Sequence, residues 1–193
     1  MENDQELIAL VLAGDRDAFT ALVELYQRPV FNLTFRMLND AREAEDAAQE
    51  AFLRAYQHLD RYDRSRSFKT WLLSIASNHC IDRIRRRRLT WLSIDEPLPP
   101  HPALASDETE PEDAALMSER DAMVQGLLDQ LAPEYRAAVV LRYWHDLSYT
   151  EIAELLDTTE SAIKSRLFRA RQLMAENLRG EESQAVMVAV EGV

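Results

Sequence analysis

An acidic, proline-rich stretch divides this chain into two segments and constrains its fold more than any other feature. Between Ser93 and Met117 the sequence has five Pro and seven Asp or Glu, with few large apolar residues. Such a composition buries too little apolar surface to offset the entropy lost on ordering the chain. We therefore predict a flexible linker over 93–117, a helical domain at 1–92, a second at 118–180, and a loosely held tail at 181–193.

Apolar residues recur at helical spacing on both sides of the predicted linker, and no alternating strand pattern is long enough to compete. Capping residues set the boundaries: Asp40 and Ser148 each begin a capping-box pattern, Pro133 suits a first helical turn, and Pro29 should interrupt a helix. The sequence predicts an all-α fold with helices over roughly 5–13, 15–28, 30–38, 40–59, 67–89, 118–130, 133–145, 148–156 and 160–178.

Charge alternates sharply along the chain. The net charge is −12, yet residues 61–91 contain nine Lys or Arg against two Asp or Glu. Residues 92–135 contain one Lys or Arg against eleven Asp or Glu. This pattern indicates one surface for a polyanion and a separate acidic surface for another partner. Charge alone leaves a second interpretation open, in which these are ordinary solvated helix faces.

Several classes of function are disfavoured by what the sequence lacks. It has one cysteine and four scattered histidines, so no disulfide framework, metal site or cofactor is expected. There is no glycine-rich phosphate loop, nucleophile elbow or pair of catalytic carboxylates, which argues against an enzyme. No apolar run approaches the ~18 residues of a membrane span, and the acidic start does not resemble a signal peptide. We expect a cytoplasmic protein without membrane insertion.

A short capped helix, a tight turn at 157–159 and a longer basic helix form a helix-turn-helix pattern. Ile163, Leu167 and Ala170 should pack inward. The opposite face presents polar and basic side chains with one aromatic: Ser161, Lys164, Ser165, Phe168 and Arg169. Contact with a thymine methyl in the major groove accounts for an exposed Phe on such a face. The alternative is an amphipathic bundle helix with a solvated cationic side.

The helix at 67–89 carries a second polar stripe, composed of Thr70, Ser74, Ser77, Asn78, Arg85 and Arg88, with Trp71 at its border. The loop before it mixes aromatic and cationic side chains and includes Tyr62, Arg64, Ser65 and Phe68. Aromatic rings stack on unpaired bases while Arg follows the backbone, so this mixture favours single-stranded nucleic acid. The Arg run by itself is also compatible with phosphate contacts of no specificity.

The helix at 40–59 has two distinct sides. One is a stripe of small residues, Ala44, Ala47, Ala48, Ala51 and Ala55, which lets a neighbouring helix approach closely. The other shows Asp46, Gln49, Glu50, Leu53 and Gln57. An acidic face repels DNA, so a basic protein partner explains it better, although solvation alone remains an alternative.

Five motifs in fixed order resemble the extracytoplasmic-function group of bacterial sigma factors. They read EDAAQEAFLRAY at 45–56, FKTWL at 68–72, IASN at 75–78, YTEIA at 149–153 and IKSRLFRAR at 163–171. The resemblance spans about residues 6–92 and 117–178, nearly everything outside the predicted linker and tail. One departure is Asp157, which stands where the family commonly has Gly in the turn.

The resemblance implies a promoter-specificity subunit of RNA polymerase. Domain 1–92 would bind core polymerase through Asp46, Gln49, Glu50, Leu53 and Arg54. It would open the −10 element with the loop at 62–68 and Asn78, beside the stripe residues Trp71, Arg85 and Arg88. Domain 118–180 would read the duplex −35 element through Lys164, Ser165, Phe168 and Arg169, with Ser161 on the same face. An anti-sigma protein is an expected further partner.

Two other functions remain open from the residues. A stand-alone helix-turn-helix repressor would bind duplex DNA tightly without polymerase, but it leaves the acidic helix face and the aromatic loop unexplained. An enzyme would require a catalytic constellation that the sequence does not display.

Overall fold

The computed structural model describes the backbone of residues 2–92 and 119–191 and the side chains of residues 4–87 and 121–179. The predicted linker at 93–117 lies outside the described residues. Over the described ranges the chain is helical without strands, which confirms the all-α prediction. The helices are α1 (Glu2–Leu12), α2 (Arg16–Leu38), α3 (Ala41–Gln57), α4 (Phe68–Leu92), α5 (Glu119–Asp129), α6 (Pro133–Tyr143), α7 (Tyr149–Leu155) and α8 (Glu160–Glu191). A 3-10 turn (Leu59–Arg61) precedes α4.

The predicted break at Pro29 is wrong, because α2 continues through it to Leu38. A proline inside a helix removes one backbone hydrogen bond and costs about 3 kcal/mol. Here Leu22 precedes Pro29 and Leu33 follows it, and both are fully buried in the same core. Burying two such side chains yields about 3–6 kcal/mol, which is enough to offset that cost and keep α2 continuous.

Local capping sets the start of α3, but only half of the predicted capping box forms. The Asp40 carboxylate accepts a hydrogen bond from the N–H of Glu43 at 2.8 Å. The Glu43 carboxylate does not return to the cap, because it pairs with Arg83 at 3.3 Å and with Arg87, both on α4. The cap therefore fixes α3, while Glu43 ties α3 to α4.

The small-residue stripe of α3 lies against α2 and α4, as its composition predicts. Its five alanines are buried. The hydroxyl of Thr34 on α2 donates a hydrogen bond to the carbonyl of Ala44 at 2.9 Å. A direct bond from one helix to the backbone of another requires a close approach, which only small side chains permit. The stripe therefore serves packing and leaves the opposite side of α3 to solvent.

In the C-terminal helices the capping predictions are confirmed. Pro133 occupies the first turn of α6. Ser148 and Glu151 form both halves of a capping box at α7. Asp157 adopts the left-handed conformation with φ 47°, so the turn expected to contain Gly forms with Asp in its place. Helix α8 extends to Glu191, well beyond its predicted end near Leu178, so the described part of the predicted tail is helical.

The two groups of helices pack against each other. We call α1–α4 the N-terminal unit and α5–α8 the C-terminal unit. One apolar cluster runs through both units and includes Leu72 and Leu73 of α4 with Leu128 and Leu131 near the end of α5. Among the described residues, no helix is both long and apolar enough to cross a membrane.

Candidate nucleic-acid interfaces

One face of α8 is open to solvent and combines cations with an aromatic ring. Lys164, Ser165 and Arg169 are exposed, and the Phe168 side chain is 56% exposed. Ser161 lies on the same exposed side. On the opposite side of α8, the residues predicted to pack inward, Ile163, Leu167 and Ala170, are all buried. Periodicity thus predicted the orientation of this helix.

The cations on this face are held in place by neighbouring side chains. The Lys164 ammonium lies 2.6 Å from the Glu160 carboxylate and 5.9 Å from the centroid of the Tyr149 ring. The hydrogen bond with Glu160 raises the pKa of Lys164 and lowers the pKa of Glu160, so both remain charged at neutral pH. Arg169 reaches the hydroxyl of Tyr135 at 3.5 Å. These contacts orient the exposed cationic side chains of this face.

Two residues that the sequence analysis did not single out line the same surface groove: Tyr149, at the start of α7, and Arg171. Both residues lie within the sequence motifs but have no predicted role. The proximity of Tyr149 to Lys164 depends on how α7 packs on α8, which local spacing does not show. Arg171 is exposed, and its Nε donates to the Leu167 carbonyl at 3.3 Å. Its position seven residues after Lys164, two helical turns along the same face, is a signal that could have identified it.

The loop before α4 differs from its prediction, because two of its aromatic residues are buried. Tyr62 is 6% exposed and Phe68 is 1% exposed. Their ring centroids lie 5.6 Å apart, and each ring also contacts Trp71, at 5.0 Å and 5.8 Å respectively. Burying Tyr62 and Phe68 against Trp71 stabilises the loop base more than exposing the two rings does. Neither Tyr62 nor Phe68 is available to stack on a base in this arrangement; Trp71 is partly exposed.

The tip of this loop is exposed and is supported by hydrogen bonds. Arg64 and Ser65 face solvent. The Ser65 N–H donates to the Asp63 carboxylate at 3.0 Å, and Gln5 of α1 donates to the Arg64 carbonyl at 3.0 Å. The Tyr62 hydroxyl donates to the Arg66 carbonyl. The aromatic residues therefore form a scaffold, and the polar residues form the surface.

The polar stripe of α4 is only partly open. Asn78 is exposed, and Arg85 is exposed with a carboxylate partner in the C-terminal unit. Ser77 is fully buried, contrary to its place in the predicted stripe, and its hydroxyl donates to the Leu73 carbonyl at 2.7 Å. That bond satisfies the hydroxyl inside the core without a ligand. The side chain of Arg88 lies outside the described residues.

The third surface is the solvent side of α3. Asp46 and Gln49 are exposed, and Leu53 is 51% exposed. Glu50 and Arg54 are half-buried and joined at 2.6 Å; the hydrogen bond from Arg54 lowers the pKa of Glu50.

Tyr56, which the sequence analysis did not assign to this surface, is also exposed. It lies three residues from Leu53 and so falls on the same side of α3. An acidic residue, an ion pair and two exposed apolar side chains together suit a protein partner better than DNA.

The sequence matches two families in the same order as the two units. Residues 22–90 match Sigma-70 region 2, and residues 121–174 match Sigma-70, region 4. The chain is 38% identical over 177 residues to the ECF RNA polymerase sigma factor SigW of Bacillus subtilis, covering 89% of this chain and 95% of that protein. It is 34% identical over 195 residues to the RNA polymerase sigma-H factor of Pseudomonas aeruginosa, covering 92% and 95%.

Solved structures support the same fold. The structure of CnrH in complex with the cytosolic domain of CnrY aligns with a TM-score of 0.67 and 24% identity, covering 92% of this chain and 98% of that one. The family matches and the close relatives extend across both units and agree with the motifs found in the sequence. The chain belongs to the extracytoplasmic-function group of the sigma-70 family of RNA polymerase sigma factors.

Proposed function

We propose that this sigma factor binds core RNA polymerase through α3, opens the −10 element with the α4 region and reads the duplex −35 element with α8. The observation that carries the proposal is the separation of three exposed surfaces with different chemistry. The α8 face is cationic with one aromatic residue, the α4 surface is cationic and polar, and the α3 face is acidic and partly apolar.

At the −35 element, α8 would enter the major groove with its exposed face toward the base edges. Arg169 and Lys164 are the residue types that donate to guanine O6 and N7, and Phe168 suits a thymine methyl. Ser161 and Ser165 can donate to either bases or phosphates. Replacing Arg169 with Ala should then cost about 1–3 kcal/mol at one −35 position. An equal loss on every sequence would mean that Arg169 contacts only phosphate.

At the −10 element, the loop tip and the exposed end of the α4 stripe would hold unpaired bases. Asn78 can bond to base edges, Trp71 offers a partly exposed ring, and Arg64 and Ser65 lie at the exposed tip of the loop that precedes α4. Arg85 and Arg88 would neutralise phosphates further along α4. Tyr62 and Phe68 would support the loop from within. Flipping a base costs a few kcal/mol, which these contacts could offset without ATP hydrolysis.

On the protein side, Asp46, Gln49, Glu50, Leu53 and Arg54 would bind the largest subunit of polymerase, with Tyr56 extending the apolar area. Regulation by an anti-sigma protein in response to stress belongs to the same proposal. A sigma factor RpoE from Bartonella quintana was solved in complex with the anti-sigma factor NepR, and it shares this fold with 23% identity and a TM-score of 0.63. That structure motivates a search for a partner encoded next to this chain.

Run-off transcription tests the proposal. Core polymerase with the purified chain should start transcription at selected fragments of a genomic library, while core polymerase alone should not. Asp46→Lys should weaken this stimulation, and the charge-matched change Glu24→Lys, at an exposed site of α2, should not. If the chain stimulates transcription on none of the fragments, the proposal is refuted. Tight duplex binding without polymerase would favour a repressor instead.

A further inference from the structure

Helix α1 lies outside the stretch that matches Sigma-70 region 2, which begins at residue 22. The helix is nevertheless anchored in the N-terminal unit. Ile8 is fully buried in the core, and Leu7 and Val11 pack against the same core. Burial of these apolar side chains fixes α1 on the unit. Polar groups near the start of α1 therefore occupy defined positions relative to the neighbouring elements.

Two polar residues near the start of α1 reach the loop before α4 and its aromatic base. The Gln5 side-chain Nε2 donates a hydrogen bond to the Arg64 carbonyl at 3.0 Å. The Asp4 carboxylate accepts a hydrogen bond from the Tyr26 hydroxyl at 2.8 Å, and the Tyr26 ring lies 5.5 Å from the Phe68 ring. Helix α1 therefore contacts the loop at its tip and also supports the rings at its base.

The bond from Gln5 differs from the bonds that the loop tip makes with itself. The Ser65 N–H donates to the Asp63 carboxylate at 3.0 Å, and the Arg66 N–H donates to the Asp63 carbonyl at 3.0 Å. Bonds within one turn set its shape, whereas a bond from Gln5 fixes where the tip lies relative to the core. Glu154 lies 3.7 Å from Arg66, but both side chains are more than half exposed, so this ion pair contributes little.

The carbonyl that Gln5 binds belongs to the peptide between Arg64 and Ser65, whose side chains are both exposed. Fixing this peptide also fixes the directions in which the two side chains leave the loop. A loop that is ordered before its ligand arrives avoids the entropy cost of becoming ordered on binding. Capture of an unpaired base gains from this, because the loop must offset the cost of unstacking that base.

We propose that Gln5 is a positioning residue for promoter opening: its amide holds the loop tip at Arg64 in the arrangement that captures unpaired bases of the −10 element. Helix α1 is the fixed point, because Ile8 anchors it in the core and Asp4 binds Tyr26. Gln5 acts through the loop and needs no contact with DNA. This inference rests on the proposed function, because it takes the loop to be the one that meets the −10 element.

The first measurement follows the loop in the full chain without polymerase or DNA. Trypsin cleaves after Arg64, and the carbonyl of that scissile bond is the one that Gln5 holds. Gln5→Met keeps the length of the side chain but has no N–H to donate, and Gln27→Met, at an exposed site of α2, is the matched control. Cleavage requires the loop to open locally, so loss of one hydrogen bond should speed cleavage at Arg64 by about two- to tenfold over the control. Mass spectrometry of the 1–64 fragment measures the rate.

The second measurement follows open-complex formation by the full chain with core polymerase, on a promoter selected by run-off transcription. Gln5→Met should weaken open-complex formation by about two- to tenfold relative to Gln27→Met, the factor expected for one hydrogen bond. The defect should persist on a −35-scrambled derivative and disappear on a −10-scrambled derivative. A loss of stability alone would lower the amount of active chain and would therefore appear on all three templates.

Equal cleavage at Arg64 in the two variants would overturn the proposal. Faster cleavage with unchanged open-complex formation, or an equal defect on all three templates, would also overturn it, because the contact would then serve the fold alone.

The two measurements separate this inference from the proposed function. A chain that stimulates transcription while Gln5→Met matches its control retains the sigma-factor mechanism and loses the positioning role. A chain that stimulates transcription on no fragment loses the mechanism and the positioning role with it, while faster cleavage of Gln5→Met would still show that Gln5 holds the loop.

Discussion

Leu167 and Phe168, adjacent residues on α8, allow effects on stability to be distinguished from effects on DNA binding. Phe168 is 56% exposed, whereas Leu167 beside it is 2% exposed. A Phe side chain presents about 200 Å², so about 110 Å² is free to be covered by DNA. At ~25 cal/mol per Å² this corresponds to at most about 3 kcal/mol, and ordering costs reduce it to about 1–2 kcal/mol. We predict that Phe168→Ala weakens open-complex formation about 5–30-fold.

The same substitution should leave the fold intact, with a change in the free energy of unfolding below about 0.5 kcal/mol. Leu167→Ala should instead lower that free energy by about 2–5 kcal/mol, because it leaves a cavity. Urea unfolding measures the stability, and open-complex titration on a selected promoter and on its −35-scrambled derivative measures the function. The Phe168→Ala defect should disappear on the scrambled promoter. A defect of equal size on both promoters, or a loss of stability equal to that of Leu167→Ala, would refute the assignment of this face.

Three further predictions follow from local chemistry. Ser148→Ala removes the α7 cap and should lower the free energy of unfolding by about 1 kcal/mol in urea, whereas Ser161→Ala on the exposed α8 face should change it little. Burial, and next the charge of Lys69, lower the pKa of His145 to about 4, so the folded chain favours the neutral imidazole. The neutral imidazole therefore stabilises the fold at pH values above its unfolded pKa of ~6.5. This contribution is lost as the pH falls toward 4, by up to about 3 kcal/mol. In thermal melts, the melting temperature of His145→Gln should therefore fall less steeply with decreasing pH than that of the unsubstituted chain. Asp46→Lys should weaken binding to core polymerase by about 1 kcal/mol or more without changing the melting temperature, and an unchanged affinity would remove α3 from the docking surface.

The sequence predicted those features that depend on nearby residues. The cap at Ser148, the first-turn Pro133 and the orientation of α8 each follow from spacing within one helix. The continuation of α2 through Pro29 could not be predicted in this way, because it depends on burial against α3 and α4. Features set by nearby residues can therefore be predicted from the sequence, whereas the continuity of α2 at Pro29 depends on tertiary packing.

The residues of the candidate site show the same difference between features set by local spacing and features set by tertiary packing. The exposure of Lys164, Phe168 and Asn78 was predicted from periodicity. The burial of Tyr62 and Phe68 was not predicted, because an aromatic residue in a loop can face either the core or solvent, and the sequence does not show which. Their mutual contacts with Trp71 arise only when the loop folds back on α4. The pairing of Arg85 with Glu134 joins residues 49 apart in sequence and has no local signal.

Photocrosslinking within the assembled transcription complex tests the central claim most directly. A photoreactive phenylalanine analogue is placed singly at Leu53, Asn78 or Phe168, and each variant is assembled with core polymerase on promoter DNA. Three distinct products are predicted: the largest polymerase subunit from Leu53, unpaired DNA near the −10 element from Asn78, and duplex DNA at the −35 element from Phe168. Crosslinking of Leu53 to DNA, or of Asn78 and Phe168 to the same nucleotides, would contradict the account.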